Sequence, residues 1–333
     1  MRIALVGSGR LARSLLLPLL ESHHEVVALV QDGRRARRIQ WGQRSLGALL
    51  ASIARRISSS FTYLITVLAS PFGYGDIIGI ALRKRIPIIW IDRMTEDELE
   101  PLRRLEPDLL LVGSFAIILK KPLLDLPKLG CVNTHPSLLP KHRGPNPFSA
   151  VIMAREHQTG VTFHIMDEGI DSGDVLEQYS FPIEPTDTAF GIYGKACEVA
   201  RRHIVSLMDR IETGGLHGTP QDHSQATYDR RLERGDTRID WTKSVHDIYR
   251  LIRAAKPIFL PSFTFRGKTV YVSVVKAHAK PCDAEPGTVV SCKPLRIATG
   301  DGVLTILVAY TRAPFPWVWP MPWNRPRIGE KVG

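Results

Sequence analysis

RIALVGSGRLARSLLLPLLESHHEVVALV, residues 2–30, carries the periodicity that decides the fold. Residues 2–6 read as a strand whose apolar run, 3–6, has the pattern of one buried in a parallel sheet. Gly7-Ser8-Gly9 turns the chain, residues 11–21 place leucines at helical spacing, and residues 25–30 form a second apolar run. Further out, residues 87–91 and 108–112 are short apolar runs separated by helical patterns, and residues 188–211 read as a long amphipathic helix. Alternation of strand and helix predicts a doubly wound α/β domain over residues 1–212.

The texture then changes. Residues 213–236 are rich in Gly, Asp, Gln and Arg and read as a linker. A helical piece at 244–255 precedes a hairpin pattern, with strands at 262–265 and 269–275 about Arg266-Gly267-Lys268. Strand patterns at 288–290, 295–298 and 303–308 follow, with Gly300-Asp301-Gly302 as a turn, so a small OB-like β-barrel domain is expected over 237–312. The tail, 313–333, holds Trp317, Trp319 and Trp323 among five prolines and cannot be a regular helix.

A chain of 333 residues, 44% hydrophobic and 23% charged, suits two ordinary globular domains. Cys131, Cys197, Cys282 and Cys292 are scattered and contain no CxxC pair, which argues against a disulfide framework or a metal centre and fits a reducing cytoplasm. Met1 and Arg2 lead straight into the first strand, without a signal-peptide pattern. The most apolar stretch, residues 61–69, is too short to span a bilayer; it reads as a buried strand or helix, with interfacial contact as the alternative. A monomer without membrane insertion is expected.

Net charge is +11, which favours a polyanionic partner or a phosphorylated substrate. Arg34, Arg35, Arg37, Arg38 and Arg44 cluster with only Asp32 opposed to them, as a phosphate-contacting loop or a plain solvated one. Gly7 to Ala12 also fits G-x-G-x-x-A, with Asp32 placed where a ribose-binding acid would sit, so a nicotinamide-dependent dehydrogenase is a rival reading. The signal is weak alone, because tight strand-to-helix turns need glycine with or without a cofactor.

More informative is CVNTHPSLLPKHRG, residues 131–144. Asn133 and His135 are two apart, so an extended backbone sends both side chains to one face, and Pro136 ends regular pairing. Strand ends of open α/β sheets are where ligands bind. A histidine hydrogen-bonded inside a turn explains the same residues equally well. GVTFHIMDEGIDSGD, residues 160–174, reads as a strand running into a loop dense in acid and glycine, from which a carboxylate could meet His135. His164 could be a second site histidine, but among apolar neighbours it reads rather as a packed or substrate-edge residue.

These two motifs, in this order and separation, resemble the folate-dependent formyltransferases, a family that includes methionyl-tRNA, glycinamide ribonucleotide and amino-sugar N-formyltransferases. The resemblance is strong over about 105–187 and continues more weakly to 302, nearest to methionyl-tRNA formyltransferase. It implies a Rossmann-like catalytic domain, 10-formyltetrahydrofolate as formyl donor, no metal, and Asn133, His135 and Asp171 as the catalytic residues. It implies further that Phe115, Ala116, Ile117, Ile118 and Leu119, with Ser137, Leu138, Leu139 and Pro140, line the folate site. Arg34, Arg35, Arg37, Arg38 and Arg143 are the candidates for substrate contact. Initiator methionyl-tRNA is the expected acceptor and an amino-sugar nucleotide the alternative. The chain departs from the methionyl-tRNA enzymes at Gly7 to Ala12, at Pro145-Asn146-Pro147 and between residues 44 and 80, which leaves the acceptor open. The chemistry needs a donor to an oxyanion, which an asparagine amide supplies, and a group that moves a proton near neutrality, which histidine supplies. Asp171 would orient His135, stabilise its charge, or hold a water.

Overall fold

The computed structural model describes residues 1–34, 74–256, 259–312, 316–319 and 326–333. Arg35, Arg37, Arg38, Arg44 and the apolar stretch 61–69 lie outside the described residues. Two compact units emerge: Met1–Arg143 with Thr159–Phe181 and Gly194–Tyr228, and Gly144–Gln158 with Pro182–Tyr193 and Asp229–Gly333.

The first unit is built on a seven-stranded sheet in the order β3-β2-β1-β4-β5-β6-β7. Its strands are β1 (Arg2–Gly7), β2 (Glu25–Asp32), β3 (Ile88–Ile91), β4 (Leu109–Gly113), β5 (Gly130–His135), β6 (Gln158–Ile165) and β7 (Val175–Pro182). The pairs among β1 to β5 are parallel, and β6 runs antiparallel to β5. All five residues of β4, LLLVG, are buried, as an interior strand covered on both faces requires. Helix α1 (Gly9–Leu20) buries Leu11, Ala12, Leu15, Leu16 and Leu19, one stripe at helical spacing. Helices α2 (Tyr74–Arg83), α3 (Glu96–Arg103) and α4 (Lys121–Leu124) follow between the later strands.

The glycine-rich turn after β1 has a packing cause. Gly7 pairs with Gly113 at the ends of β1 and β4 and has φ +141, and a Cβ on it would collide with the Gly113 carbonyl. The acid of the fingerprint is already engaged: buried Asp32 accepts from Nε and Nη2 of Arg34, both at 3.0 Å.

The second unit contains α5 (Pro147–Met153), α7 (Val245–Ala255) and a curled antiparallel sheet in the order β10-β11-β12-β9-β8, with β13 on β12. These strands are β8 (Ser262–Phe265), β9 (Lys268–His278), β10 (Val289–Cys292), β11 (Leu295–Ala298), β12 (Val303–Arg312) and β13 (Pro316–Trp319). The expected hairpin is present, and Arg266 and Gly267 both have positive φ, as a two-residue primed turn demands. Register shifts between Ile306 and Val308 and between Val308 and Ala309 bend β12. Trp241, Ile248, Ile252, Phe263, Phe265, Val270, Val272 and Leu304 share one core, with Trp241 edge-on to Phe263 at 5.4 Å. Ser244 caps α7, accepting from the Asp247 amide at 3.0 Å. The long amphipathic helix is α6 (Ala189–Gly214). Among the described residues no helix is long and apolar enough to cross a membrane.

Candidate active site

Asn133 and His135 leave the same face of β5, at its C-terminal end. Across the antiparallel pair, Asn133 faces His164 and His135 faces Thr162. Directly opposed residues project to one side, so the four make a single polar patch. Period-two alternation on β6 explains the motif beneath it. Gly160 leaves room for the Leu138 side chain. Thr162 Oγ1 donates to the Ser137 carbonyl at 2.6 Å and accepts from the Leu139 amide at 3.1 Å and from Gln178 Nε2 at 3.0 Å. His164 reaches the site itself.

Asp171 enters from the loop after β6. Asp167 ties that loop, its Oδ1 accepting from the Gly169 amide at 2.9 Å and the Ser172 hydroxyl at 2.8 Å. Gly173 passes so close to the Ile165 carbonyl that a Cβ there would collide with it. Asp171 adopts φ +51, a left-handed conformation that Asp tolerates better than most residues. Its Oδ2 lies 3.5 Å from His135 Nδ1 and its Oδ1 3.2 Å from Asn133 Nδ2.

The hydrogen-bond partners fix the tautomers. His135 Nε2 is 2.8 Å from the His142 carbonyl, which can only accept, so Nε2 carries the hydrogen. In neutral His135 the bare nitrogen is then Nδ1, facing the Asp171 carboxylate. Burial lowers the His135 pKa below its ordinary value, opposed by the Asp171 charge and by the bond to His142. His135 is therefore neutral at neutral pH, and a proton it receives lands at Nδ1 beside Asp171. His164 Nδ1 donates to the Ile165 carbonyl at 2.8 Å, which leaves Nε2 to accept from Asn133 Nδ2 at 3.1 Å. Both amide hydrogens of Asn133 are thus engaged, by His164 and by Asp171. The bond to the imidazole nitrogen is the weaker of the two, because the one to the carboxylate is charge-assisted.

The remaining sequence-derived residues are placed unevenly. After β4 the chain alternates: Phe115 and Ile117 pack against the core of the sheet, Leu119 is buried within it, and Ala116 and Ile118 face outward, Ile118 being 67% exposed. Expected as folate-lining, Leu119 is instead a core residue. Ser137 and Leu139 are buried and hold their own loop: the Ser137 hydroxyl donates to the Lys141 carbonyl at 2.9 Å, and the Leu139 carbonyl accepts from Gln178 Nε2 at 2.6 Å. Leu138 and Pro140 are half-buried. Arg34 joins β2 to the segment after β4, because its Nη2 also donates to the Ala116 carbonyl at 3.0 Å. Arg143, expected at a substrate, is 1% exposed and points inward, where Tyr228, Gln221 and His223 take its guanidinium.

His164, read from the sequence as a packed or substrate-edge residue with a site histidine as the lesser reading, stands beside Asn133. One residue of the site surroundings escaped the sequence. Gln221 carried no signal, since it sits in a stretch with the composition of a linker.

Residues 84–208 match the family model for formyl transferase, and residues 231–312 match that for the formyl transferase C-terminal domain. The chain belongs to the formyl transferase family. Its fold is shared with HypX from Aquifex aeolicus at 18% identity and a TM-score of 0.64, covering 96% of this chain and 47% of that one. The chain thus spans about half the length of HypX. An N-formyltransferase from Helicobacter canadensis, solved with folinic acid and dTDP-3-aminofucose, is similar at 19% identity and a TM-score of 0.63, over 91% of this chain and 98% of that one. A 4-N formyltransferase from Francisella tularensis is similar at 19% identity and a TM-score of 0.59, over 83% of this chain and 98% of that one. In this formyl transferase the matched N-terminal model covers β5, β6 and the Asp171 loop, so the polar patch lies within the family's own segment.

Proposed function

We propose that this formyl transferase moves the formyl group of 10-formyltetrahydrofolate to the amino group of an amino-sugar nucleotide. The observation that carries the reading is the convergence of Asn133, His135 and Asp171 at the end of β5 in a chain of this family. The neutral amine attacks the formyl carbon, forming a C–N bond and a tetrahedral oxyanion. Asn133 donates to that oxygen by exchanging its bond to His164. His135 accepts the proton from the new nitrogen at Nδ1, and Asp171 stabilises the imidazolium. The bond from carbon to the folate nitrogen then breaks, and that nitrogen takes a proton. The exposed apolar side chain of Ile118 offers a surface for the folate ring, on the outward face of the segment that also exposes Ala116.

The Helicobacter canadensis enzyme, matched over nearly its whole length and solved with dTDP-3-aminofucose, supports an amino-sugar acceptor. A second reading, methionyl-tRNA, is favoured by the net charge of +11. The test supplies 10-formyltetrahydrofolate with dTDP-linked 3- and 4-amino sugars, and separately with charged initiator tRNA, and detects N-formyl product by mass spectrometry. Formylation of an amino sugar supports the first reading and of tRNA alone the second. If no amine is formylated and no folate binds, both fail.

A further inference from the structure

The left-handed Asp171 is held from outside its own loop. Gln221 Nε2 donates to the carbonyls of Asp171 and Gly173, at 2.9 and 2.7 Å. The far end of that amide is fixed as well, because Gln221 Oε1 accepts from Arg143 Nη2 at 2.7 Å. Turning the amide over would set its oxygen against two carbonyls and its N–H₂ against a guanidinium, so one orientation survives. Arg143 is itself locked. Nη1 donates to the Tyr228 hydroxyl at 2.7 Å, Nη2 also reaches His223 Nδ1 at 3.2 Å, and the guanidinium lies over the Tyr228 ring. None of these partners is a carboxylate. A buried cation held only by neutral groups is costly, and that cost points to a role other than stability.

The same segment grips the other half of the site. Thr227 Oγ1 accepts from the His142 amide at 2.8 Å, and the Thr227 carbonyl accepts from the Arg143 amide at 2.9 Å. His142 supplies the carbonyl that takes the His135 Nε2 hydrogen. Residues 221–228 therefore join the backbone that carries Asp171 to the backbone that orients His135.

We propose that Gln221 and Arg143 are positioning residues, forming a buried strut that holds the Asp171 carboxylate opposite His135 and Asn133. Its consequence for rate rests on the formyl-transfer reading; its consequence for geometry does not. Three variants test it: Gln221→Leu removes the donors to the loop, Arg143→Lys keeps the charge without the fork, and Tyr228→Phe removes one hydroxyl. The first readout is the titration of His135 followed by NMR in the free protein. His135 faces Asp171, His142 and His164; the Asp171 charge, first, and the bond to the His142 carbonyl favour its protonated form, while the His164 and His142 rings oppose it. Withdrawal of Asp171 therefore moves the His135 titration to lower pH in Gln221→Leu and Arg143→Lys, and less far in Tyr228→Phe. The second readout is kinetic. A misplacement of about 1 Å costs on the order of 10²-fold in kcat, while KM for the folate donor stays near the wild-type value. Folded variants with an unchanged His135 titration and unchanged kcat overturn the strut, as does a rise in KM alone. Should Gln221→Leu fail to fold, Arg143→Lys and Tyr228→Phe carry both readouts. If the wild-type protein formylates no amine, the functional reading fails, and the His135 titration alone decides the strut.

Discussion

Asn133 has two amide hydrogens and, in the free site, two partners for them. Under the proposed mechanism activity requires an exchange of partners, in which a substrate oxygen replaces the His164 nitrogen. Asn133→Ala removes the donor altogether and is expected to lower turnover by about 10²–10³-fold, with folate binding, measured by fluorescence titration, unchanged. Unchanged turnover would refute the role. Proton transfer has its own signature. Burial holds the His135 pKa below the ordinary histidine value, so His135 is neutral and able to accept a proton across the neutral range. Under the proposed mechanism the rate falls on the acid side as His135 becomes protonated. Asp171→Asn removes the attraction that raises this pKa, so the acid limb of the kcat–pH profile moves to still lower pH while the plateau drops; a limb that moved upward would contradict the assignment. The pairing of residue types was legible in the sequence, because Asn133 and His135 are two apart and an extended backbone sends both to one face. The tautomer was not, since it is set by the His142 carbonyl, which reaches His135 only through the folded loop.

At the level of elements, the site depends on β5 and β6 lying antiparallel in one register. Their apolar runs could be read from the sequence; the register could not, and it is the register that puts His164 beside Asn133 and Thr162 beside His135. The same limit hid the strut, whose ends are 78 residues apart in the chain. By contrast, the hairpin at Arg266-Gly267 was legible because its turn chemistry is local. Thr162 is the element-level support of the loop that follows β5, with one donated and two accepted bonds. Thr162→Val keeps the shape and removes all three, leaving the buried Leu139 amide without its acceptor. The expected cost is about 1–3 kcal/mol of stability, read from urea unfolding, together with faster hydrogen exchange at the Leu139 amide. A variant as stable as the parent would show that the loop holds itself.

For the molecule as a whole, the open term is the acceptor, and net charge is the property that discriminates. A charge of +11 suits a polyanion, and since that figure already subtracts every acid, the pairs Arg34–Asp32, Arg155–Asp247, Arg230–Asp236 and Arg266–Glu330 leave the excess to other basic side chains. The densest arginines, at 35, 37 and 38, lie outside the described residues. The two acceptors differ in how they respond to salt. An RNA held through six to ten phosphate contacts releases condensed counterions and loses roughly 10³–10⁵ in affinity between about 50 and 200 mM salt. A diphosphate-linked sugar has two phosphates and no such atmosphere, so its KM should rise by roughly tenfold or less over the same range. With an amino-sugar nucleotide as acceptor, formylation at the higher salt is expected to persist, and charged tRNA is expected not to compete. A steep fall in turnover with salt, together with inhibition by tRNA at low salt, would assign the basic surface to RNA and make methionyl-tRNA the acceptor.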